Sequence, residues 1–234
     1  ASKRAAEMVI SALAASHRTM AFTVPWSRTM TMPHPDASPL LDSRWRYIDK
    51  LSLEAFTSTD WATLNTQRAQ YHAQEQARQV LRMLAGSEHD ASFGYQVNNY
   101  RHSLQSATMA LRDGLDEEDV VVALLHDIGF IACPQRHGEF AAALLGAYVS
   151  ERNEWMLRRH AIFQDVHSTH HPDIDRHARE RWRGHPHFEW AANFVARYDQ
   201  ATIDPSYDCA PLAHFEPMVR RVFARPPRAV PLPD

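Results

Sequence analysis

Glycine, cysteine and long apolar runs are all scarce in this chain of 234 residues. Seven glycines beside 14 prolines argue against a turn-dense β sandwich or a dinucleotide-binding sheet. The two cysteines, Cys133 and Cys209, cannot form a disulfide scaffold, so we expect a reducing compartment. No apolar stretch approaches the roughly 20 residues that span a bilayer, and we see no apolar signal core after Ala1. The sequence therefore predicts a helical, cytoplasmic protein that does not enter a membrane.

An excess of one charge is also lacking. The chain has 25 lysines and arginines against 28 aspartates and glutamates, so its formal net charge is −3 at neutral pH. Without a basic run it offers nucleic acid no electrostatic footprint, and we expect a small-molecule partner. What the chain does have is 15 histidines and a hydrophobic share of 44%, enough for one domain with a sizeable core. The question is whether some of these histidines converge on one point.

Apolar residues recur at helical spacing along most of the chain. The exceptions are a proline-rich linker at 25–39, a polar irregular stretch at 168–186 and an extended tail from Pro226. Helices are predicted at 3–16, 60–84, 97–112, 117–125, 138–149, 151–166, 188–201 and 212–225. In the long second helix, the side chains predicted to face inward are Trp61, Leu64, Tyr71 and Val80.

The helix at 117–125 ends in a histidine and an aspartate that call for an explanation. Asp116 can cap this helix, and its residues from Val120 to Leu125 are apolar on every face, so we expect it to be buried. Burial would carry His126 and Asp127 into the core, where an unpaired carboxylate costs several kcal/mol. A metal ion would supply the missing partner. The alternative is a capped helix end with Asp127 in a salt bridge.

Further histidines and an aspartate occur once per predicted helix on either side of this pair. His102 precedes the pair, while His137, His160 and Asp199 follow it. One ligand from each of several facing helices is how helical bundles build metal sites. The series therefore predicts that these side chains surround a common centre.

This series resembles the HD-domain superfamily, specifically its dinuclear branch. The stretch Leu124 to Gly129 is close to the usual sequence motif of the family, and Gln105 also fits the family pattern. The resemblance covers about residues 92–205. The simplest HD hydrolases hold one metal with a His, a His-Asp pair and a distant Asp; the resemblance assigns His137 and His160 to a second metal.

The resemblance implies an HD-domain helical bundle, all-α, with an N-terminal helical extension. Its parts would be the extension at 1–90, the metal-binding core at 91–205, and a C-terminal helix with a proline-rich tail at 206–234. The aromatic residues of the extension suggest that it packs on the core or on a second subunit, so a homo-oligomer is possible.

Two chemistries compete within the dinuclear branch. One is phosphoester hydrolysis with manganese or other divalent metals. The other belongs to mixed-valent diiron oxygenases, the phosphonate-cleaving oxygenases and myo-inositol oxygenase. The stretches 97–105 and 197–200 resemble the phosphonate-cleaving members, and the Gly-Tyr-Pro signature of the cyclic-dinucleotide hydrolases is absent. The resemblance thus implies two iron ions, Fe(II) and Fe(III), that use O2 to cleave the carbon–phosphorus bond of a small anionic substrate, a 1-hydroxyphosphonate.

The substrate-binding positions depart from that family. Ser92, Tyr95, Phe130, Gln164 and Ala196 stand where the phosphonate-cleaving members have other residues, so aminoethylphosphonate itself is not the expected substrate.

Side chains close to the predicted metal ligands could contact the substrate in place of the family's residues. Asn98 and its neighbour Asn99 could instead be ordinary helix-start residues, and Arg197 could be in a structural ion pair. The histidines 167, 170 and 171 are interpreted as surface residues, and 181–183 as a solvated loop rather than a lid. The candidate substrate contacts are Tyr95, Asn98, Gln164 and Arg197.

Overall fold

The computed structural model describes residues 45–229, so the predicted helix at 3–16 and the linker at 25–39 lie outside the described residues. Within the described part there are eight α-helices and no strand, which confirms the all-α prediction. The helices are α1 (Ser58–Gly86), α2 (Asn99–Arg112), α3 (Glu117–Leu125), α4 (His137–Leu145), α5 (Glu151–Leu157), α6 (His160–Gln164), α7 (Phe188–Phe194) and α8 (Leu212–Phe223). None of the helices in this part of the chain is long and apolar enough to cross a membrane.

Short helical turns connect several of these elements. Four are 3₁₀ turns: Leu53–Ala55, Pro134–Arg136, Asp165–His167 and Ala178–Trp182. A five-residue π-helical segment, Val195–Asp199, continues α7. Single π turns inside helices are often found at functional sites.

Polar caps fix where the main helices begin. Asp116 accepts a hydrogen bond from the backbone N–H of Asp119 at 2.9 Å, as the sequence predicts for α3. Asn98 and Ser150 cap α2 and α5 in the same way, and Thr57 forms a capping box with Asp60 at α1. Each cap satisfies an N–H that the helix leaves unpaired.

The centre of the core is α3, whose residues from Val120 to Leu125 are almost completely buried. Helices α2, α5 and α8 pack against it, and α1 packs against α8. This confirms the prediction of a buried central helix and brings its end, at His126, into the interior.

The long helix α1 differs from expectation in its first half. Val80 is buried, but Trp61 and Leu64 are only partly covered, and Tyr71 is 39% exposed. The buried residues of this helix all lie in its second half, where Ala77, Val80, Leu81 and Leu84 join the same core as α3. The chain divides into compact units at Ala1–Asp49 and Lys50–Asp234, and α1 lies in the second of these units.

Three predicted helices are shorter or interrupted. The helix expected at 138–149 ends at Leu145. The helix expected at 151–166 breaks at Arg158 and Arg159 into α5 and α6, and the helix at 188–201 changes into the π segment after Phe194. The first interruption directly precedes the predicted ligand His160, and the π segment ends at the predicted ligand Asp199.

Candidate metal centre

The six predicted ligands come together in the interior of the bundle. His102 lies on α2, His126 and Asp127 follow the end of α3, His137 and His160 are the first residues of α4 and α6, and Asp199 ends the π segment. Five of the six are less than 9% exposed, and His137 is partly buried. Their donor atoms form three overlapping groups that could hold metal ions.

One of these three sets combines His126, His160 and Asp199, so the ligands form two larger groups that adjoin each other. The first group contains His102, His126, Asp127 and Asp199. The two Nε2 atoms of His102 and His126 are 3.1 Å apart, and Asp127 Oδ2 is 3.5 Å from His102 Nε2. Asp199 Oδ1 lies 3.8 Å and 3.7 Å from the same two nitrogens. Two atoms that bind one ion at about 2.1 Å stand roughly 3 to 4.2 Å apart, depending on the angle that they make at the ion. The group therefore has the dimensions of a metal site.

The second group contains His137, His160 and the other oxygen of Asp127. The Nε2 atoms of the two histidines are 3.1 Å apart. Asp127 Oδ1 is 3.0 Å from His160 Nε2 and 3.3 Å from His137 Nε2. The Asp127 carboxylate thus directs one oxygen to each group.

Three of the four histidines orient their rings in the same way. Each donates from Nδ1 to the backbone carbonyl three residues earlier. The pairs are His126 with Ala123 at 2.8 Å, His137 with Pro134 at 2.9 Å, and His160 with Leu157 at 2.8 Å. Since a carbonyl oxygen can only accept, Nδ1 carries the proton and Nε2 presents a lone pair to the centre.

These carbonyls are free because the helices stop beside them. In an uninterrupted helix, the carbonyl three residues before a histidine bonds the N–H of the residue after it. However, α3 ends at Leu125, His137 follows the turn Pro134–Arg136, and α5 ends at Leu157. The expectation that His160 lies in the middle of a helix is therefore wrong: the break supplies the Leu157 carbonyl that orients its ring.

His102 lies inside α2 and uses a side chain instead. Its Nδ1 is 2.8 Å from Thr202 Oγ1 and 3.3 Å from the backbone oxygen of Thr202. The Thr202 hydroxyl donates a short hydrogen bond to the backbone oxygen of Asp199, so Oγ1 accepts from the histidine. Sequence reasoning missed Thr202, because nothing in its local pattern marks a buried hydroxyl as the partner of a histidine 100 residues away.

Four imidazole lone pairs and two carboxylates thus face one small volume. Two Nε2 atoms 3.1 Å apart repel each other unless a proton or a metal ion lies between or beside them. Asp199 Oδ2 is buried and has no hydrogen-bond partner within residues 45–229. Imidazole and carboxylate donors suit divalent transition metals. The residues present therefore fit metal binding.

The electrostatics point the same way. Burial lowers the pKa of both His102 and His137, which keeps these ligands neutral. Burial also opposes ionisation of Asp127, but His126 and His160 outweigh it and hold the pKa of this carboxyl well below its usual range. Burial likewise disfavours protonated His126, yet Asp127 and Asp199 raise its pKa to about 9. The two carboxylates thus attract positive charge into the group.

A cavity of about 400 Å³ opens onto four of the ligands. Tyr95, Asn98 and Gln164 line it, as do Ser92 and Phe130, two further positions that differ from the family pattern. Gln164 Nε2 donates to Asp199 Oδ1 at 2.7 Å.

Asn98 also has structural roles, as the alternative interpretation expected. It caps α2, and its amide donates to the Glu88 carbonyl at 2.8 Å. Its neighbour Asn99 lines the cavity and donates to the backbone oxygen of Asp127 at 2.9 Å.

Arg197 is not brought to this cavity. Its guanidinium pairs with Asp113 at 2.6 Å on an exposed surface. The structure therefore supports the structural ion pair, although the partner is Asp113 and not the nearby Asp199. His167, interpreted as a surface residue, is indeed exposed, and it also lines the cavity. Burial and Arg179 lower the pKa of His167.

No protein-family model matches the chain, and a search of curated proteins finds no match for it either. The resemblance to HD domains therefore depends on the six ligands, their spacing and the sequence around His126. The function has to be inferred from the geometry of the site.

Gly138 allows the second metal group to form. A Cβ atom at this position would collide with the Leu157 carbonyl and lie 3.2 Å from the His160 ring. We expect Gly138→Ala to separate His137 from His160. Metal affinity at the second group should then fall about tenfold or more, as it does when a ligand loses the residues that position it. Metal titration of the purified variant measures this. Gly86→Ala is the matched control, because a Cβ there meets nothing within 4 Å; unchanged metal binding in Gly138→Ala would contradict the assignment.

Thr202 is expected to act on the first group alone. Thr202→Val keeps the shape of the side chain but removes the acceptor of the His102 proton. The Thr202 backbone oxygen remains 3.3 Å from His102 Nδ1 and can still accept its proton. We therefore expect metal affinity to fall about tenfold, the smaller end of the effect seen when a ligand's hydrogen-bond partner is removed. Thr66→Val removes an exposed hydroxyl far along the chain and serves as control. Equal loss at both groups would show that Thr202 supports the fold rather than His102.

Proposed function

We propose that the chain holds two metal ions, bridged by Asp127. The observation that carries this proposal is the division of one carboxylate between two sets of histidines, His102 with His126 and His137 with His160. A single ion would need only one of these sets. The second set would then leave two lone pairs and a carboxylate oxygen facing one another in the interior.

We further propose that the protein is an HD-type mixed-valent diiron oxygenase. An iron pair would supply electron transfer between a hydroxylated substrate and O2. The chain's own contribution is to orient the ligands and to limit water. Apolar side chains of the cavity, among them Phe93, Val97, Phe130 and Ile203, provide such a wall.

The cavity also bears on the substrate. Among the lining residues that the structure describes, none is lysine or arginine. Enzymes that grip a phosphate by its own oxygens commonly use such side chains. A 1-hydroxyphosphonate carries its anion one carbon from the hydroxyl, so both groups can reach the metals and need no separate cation. Tyr95, Gln164 and His167 then remain to contact the rest of the substrate.

Metal content provides the first test. We expect about two ions per chain, with iron dominant in protein purified under controlled oxygen. Chelation should lower the melting temperature, because it leaves the buried donors without their cation. Asp127→Asn should lose both ions, while Asp204→Asn, at an exposed aspartate whose side chain bonds Ser206, should keep them. One ion per chain, with His137 and His160 not coordinated, would overturn the dinuclear proposal.

The reaction provides the second test. We expect O2 uptake in step with loss of a 1-hydroxyphosphonate, and a mixed-valent paramagnetic resonance signal that changes when this substrate is added. Aminoethylphosphonate derivatives should react poorly, because Ser92, Tyr95, Phe130 and Gln164 shape the cavity differently. Phosphatase activity with manganese under nitrogen, together with no O2 uptake, would replace the oxygenase proposal with a divalent-metal phosphohydrolase.

A further inference from the structure

A second cavity, of about 710 Å³, lies beside α5 and the start of α6. It shares no lining residue with the metal cavity. Its walls come from α5, from Arg159, from the turn Ala178–Trp182 and from the two histidines that follow, His185 and His187. The metal-centre proposal does not use this cavity.

The cavity is rich in arginine. Five arginines and three glutamates line it. Most of these charges neutralise each other: Glu139 pairs with Arg136, and Glu154 pairs with both Arg158 and Arg228. Arg159 and Arg181 have no carboxylate within ion-pairing distance in residues 45–229, and Glu151 is the remaining acid.

Arg159 is held rigidly in this position. Its guanidinium carbon lies 4.7 Å from the ring centre of Trp155 and 5.3 Å from that of Trp182. One of its amines donates a weak 3.4 Å hydrogen bond to the Trp155 carbonyl. Its Nε is buried and has no hydrogen-bond partner among the described residues. A buried donor without an acceptor is costly, and an anion would satisfy it.

We propose that Arg159 and Arg181 bind a phosphate-class oxyanion in this cavity, with His185 as a neighbour that can donate a hydrogen bond. Planar guanidinium groups match the oxygens of such anions. The aromatic rings do not offer a platform for a base, because His185 stacks on Trp155 at 4.2 Å and Arg181 lies 3.9 Å from the ring centre of Trp182. Recognition is therefore of the anion itself, whether it is free phosphate or the phosphate of a small metabolite.

This site is distinct from the proposed reaction and does not depend on it. The two are nevertheless adjacent in sequence, since Arg159 immediately precedes the ligand His160. Phosphate could also bind the metals, so the test must separate the two positions.

The experiment titrates the full-length, metal-loaded protein with inorganic phosphate at constant ionic strength, using calorimetry and tryptophan fluorescence. Arg181→Gln should weaken binding about tenfold, the effect of losing one charge-assisted contact. This variant should fold, because Arg181 is exposed. Arg159→Lys keeps the positive charge but loses the planar guanidinium that can donate two parallel hydrogen bonds, and it should also weaken binding. Arg183→Gln is the matched control, since Arg183 is bonded to Glu180 and does not line the cavity.

A second arm repeats the titration with glycerol phosphate. Tighter binding of this ester than of free phosphate would identify a phosphorylated metabolite as the ligand, and the reverse would identify the free ion. Phosphate binding that is equal in wild type, Arg181→Gln and Arg159→Lys would place the anion on the metals and overturn the proposal. Absence of binding in the wild type would overturn it as well. The metal content of all variants should remain that of the wild type.

Discussion

The interior of this protein is organised around a repulsion that only positive charge can relieve. The Nε2 atoms of His102, His126, His137 and His160 meet the Asp127 carboxylate in a largely buried space at the end of the cavity. Hydrophobic burial of α3 forces the end of that helix into this position. The same burial that stabilises the bundle therefore creates a strong preference for a cation. A cation shared by these donor atoms would relieve the repulsion.

The backbone contributes to the site through its interruptions. In a regular helix the backbone carbonyls accept hydrogen bonds from backbone N–H groups of the same helix. A histidine inside a helix is therefore oriented by a partner outside it, as His102 is by Thr202. At helix ends and breaks, the carbonyls of Ala123, Pro134 and Leu157 become available to the rings that follow. The close approach at Gly138 then brings two such ends together. Local loss of helical regularity is how this bundle fixes three of its four imidazole rings.

Much of this arrangement could be predicted from the sequence, and the rest depends on packing. The apolar helix before His126 and Asp127 indicated burial, and burial indicated a charge partner; together with one ligand per helix, this was enough to anticipate all six converging residues. Thr202 and the breaks at Arg159 and Phe194 were not predictable, because they depend on which carbonyl or hydroxyl lies beside a ring in three dimensions. Arg197 was expected near the site on chain proximity to Asp199, but its side chain bonds Asp113.

The two cavities differ in the positively charged side chains that line them. The inner cavity carries no described lysine or arginine, so any anion entering it depends on the metals for neutralisation. The outer cavity has arginines without carboxylate partners and no convergent set of acidic and imidazole donors, so it suits an anion and not a metal. A bound metal in the inner cavity would therefore be required for both binding and reactivity there. Loss of the metal would then remove substrate affinity together with turnover, while the outer cavity would keep its own charge.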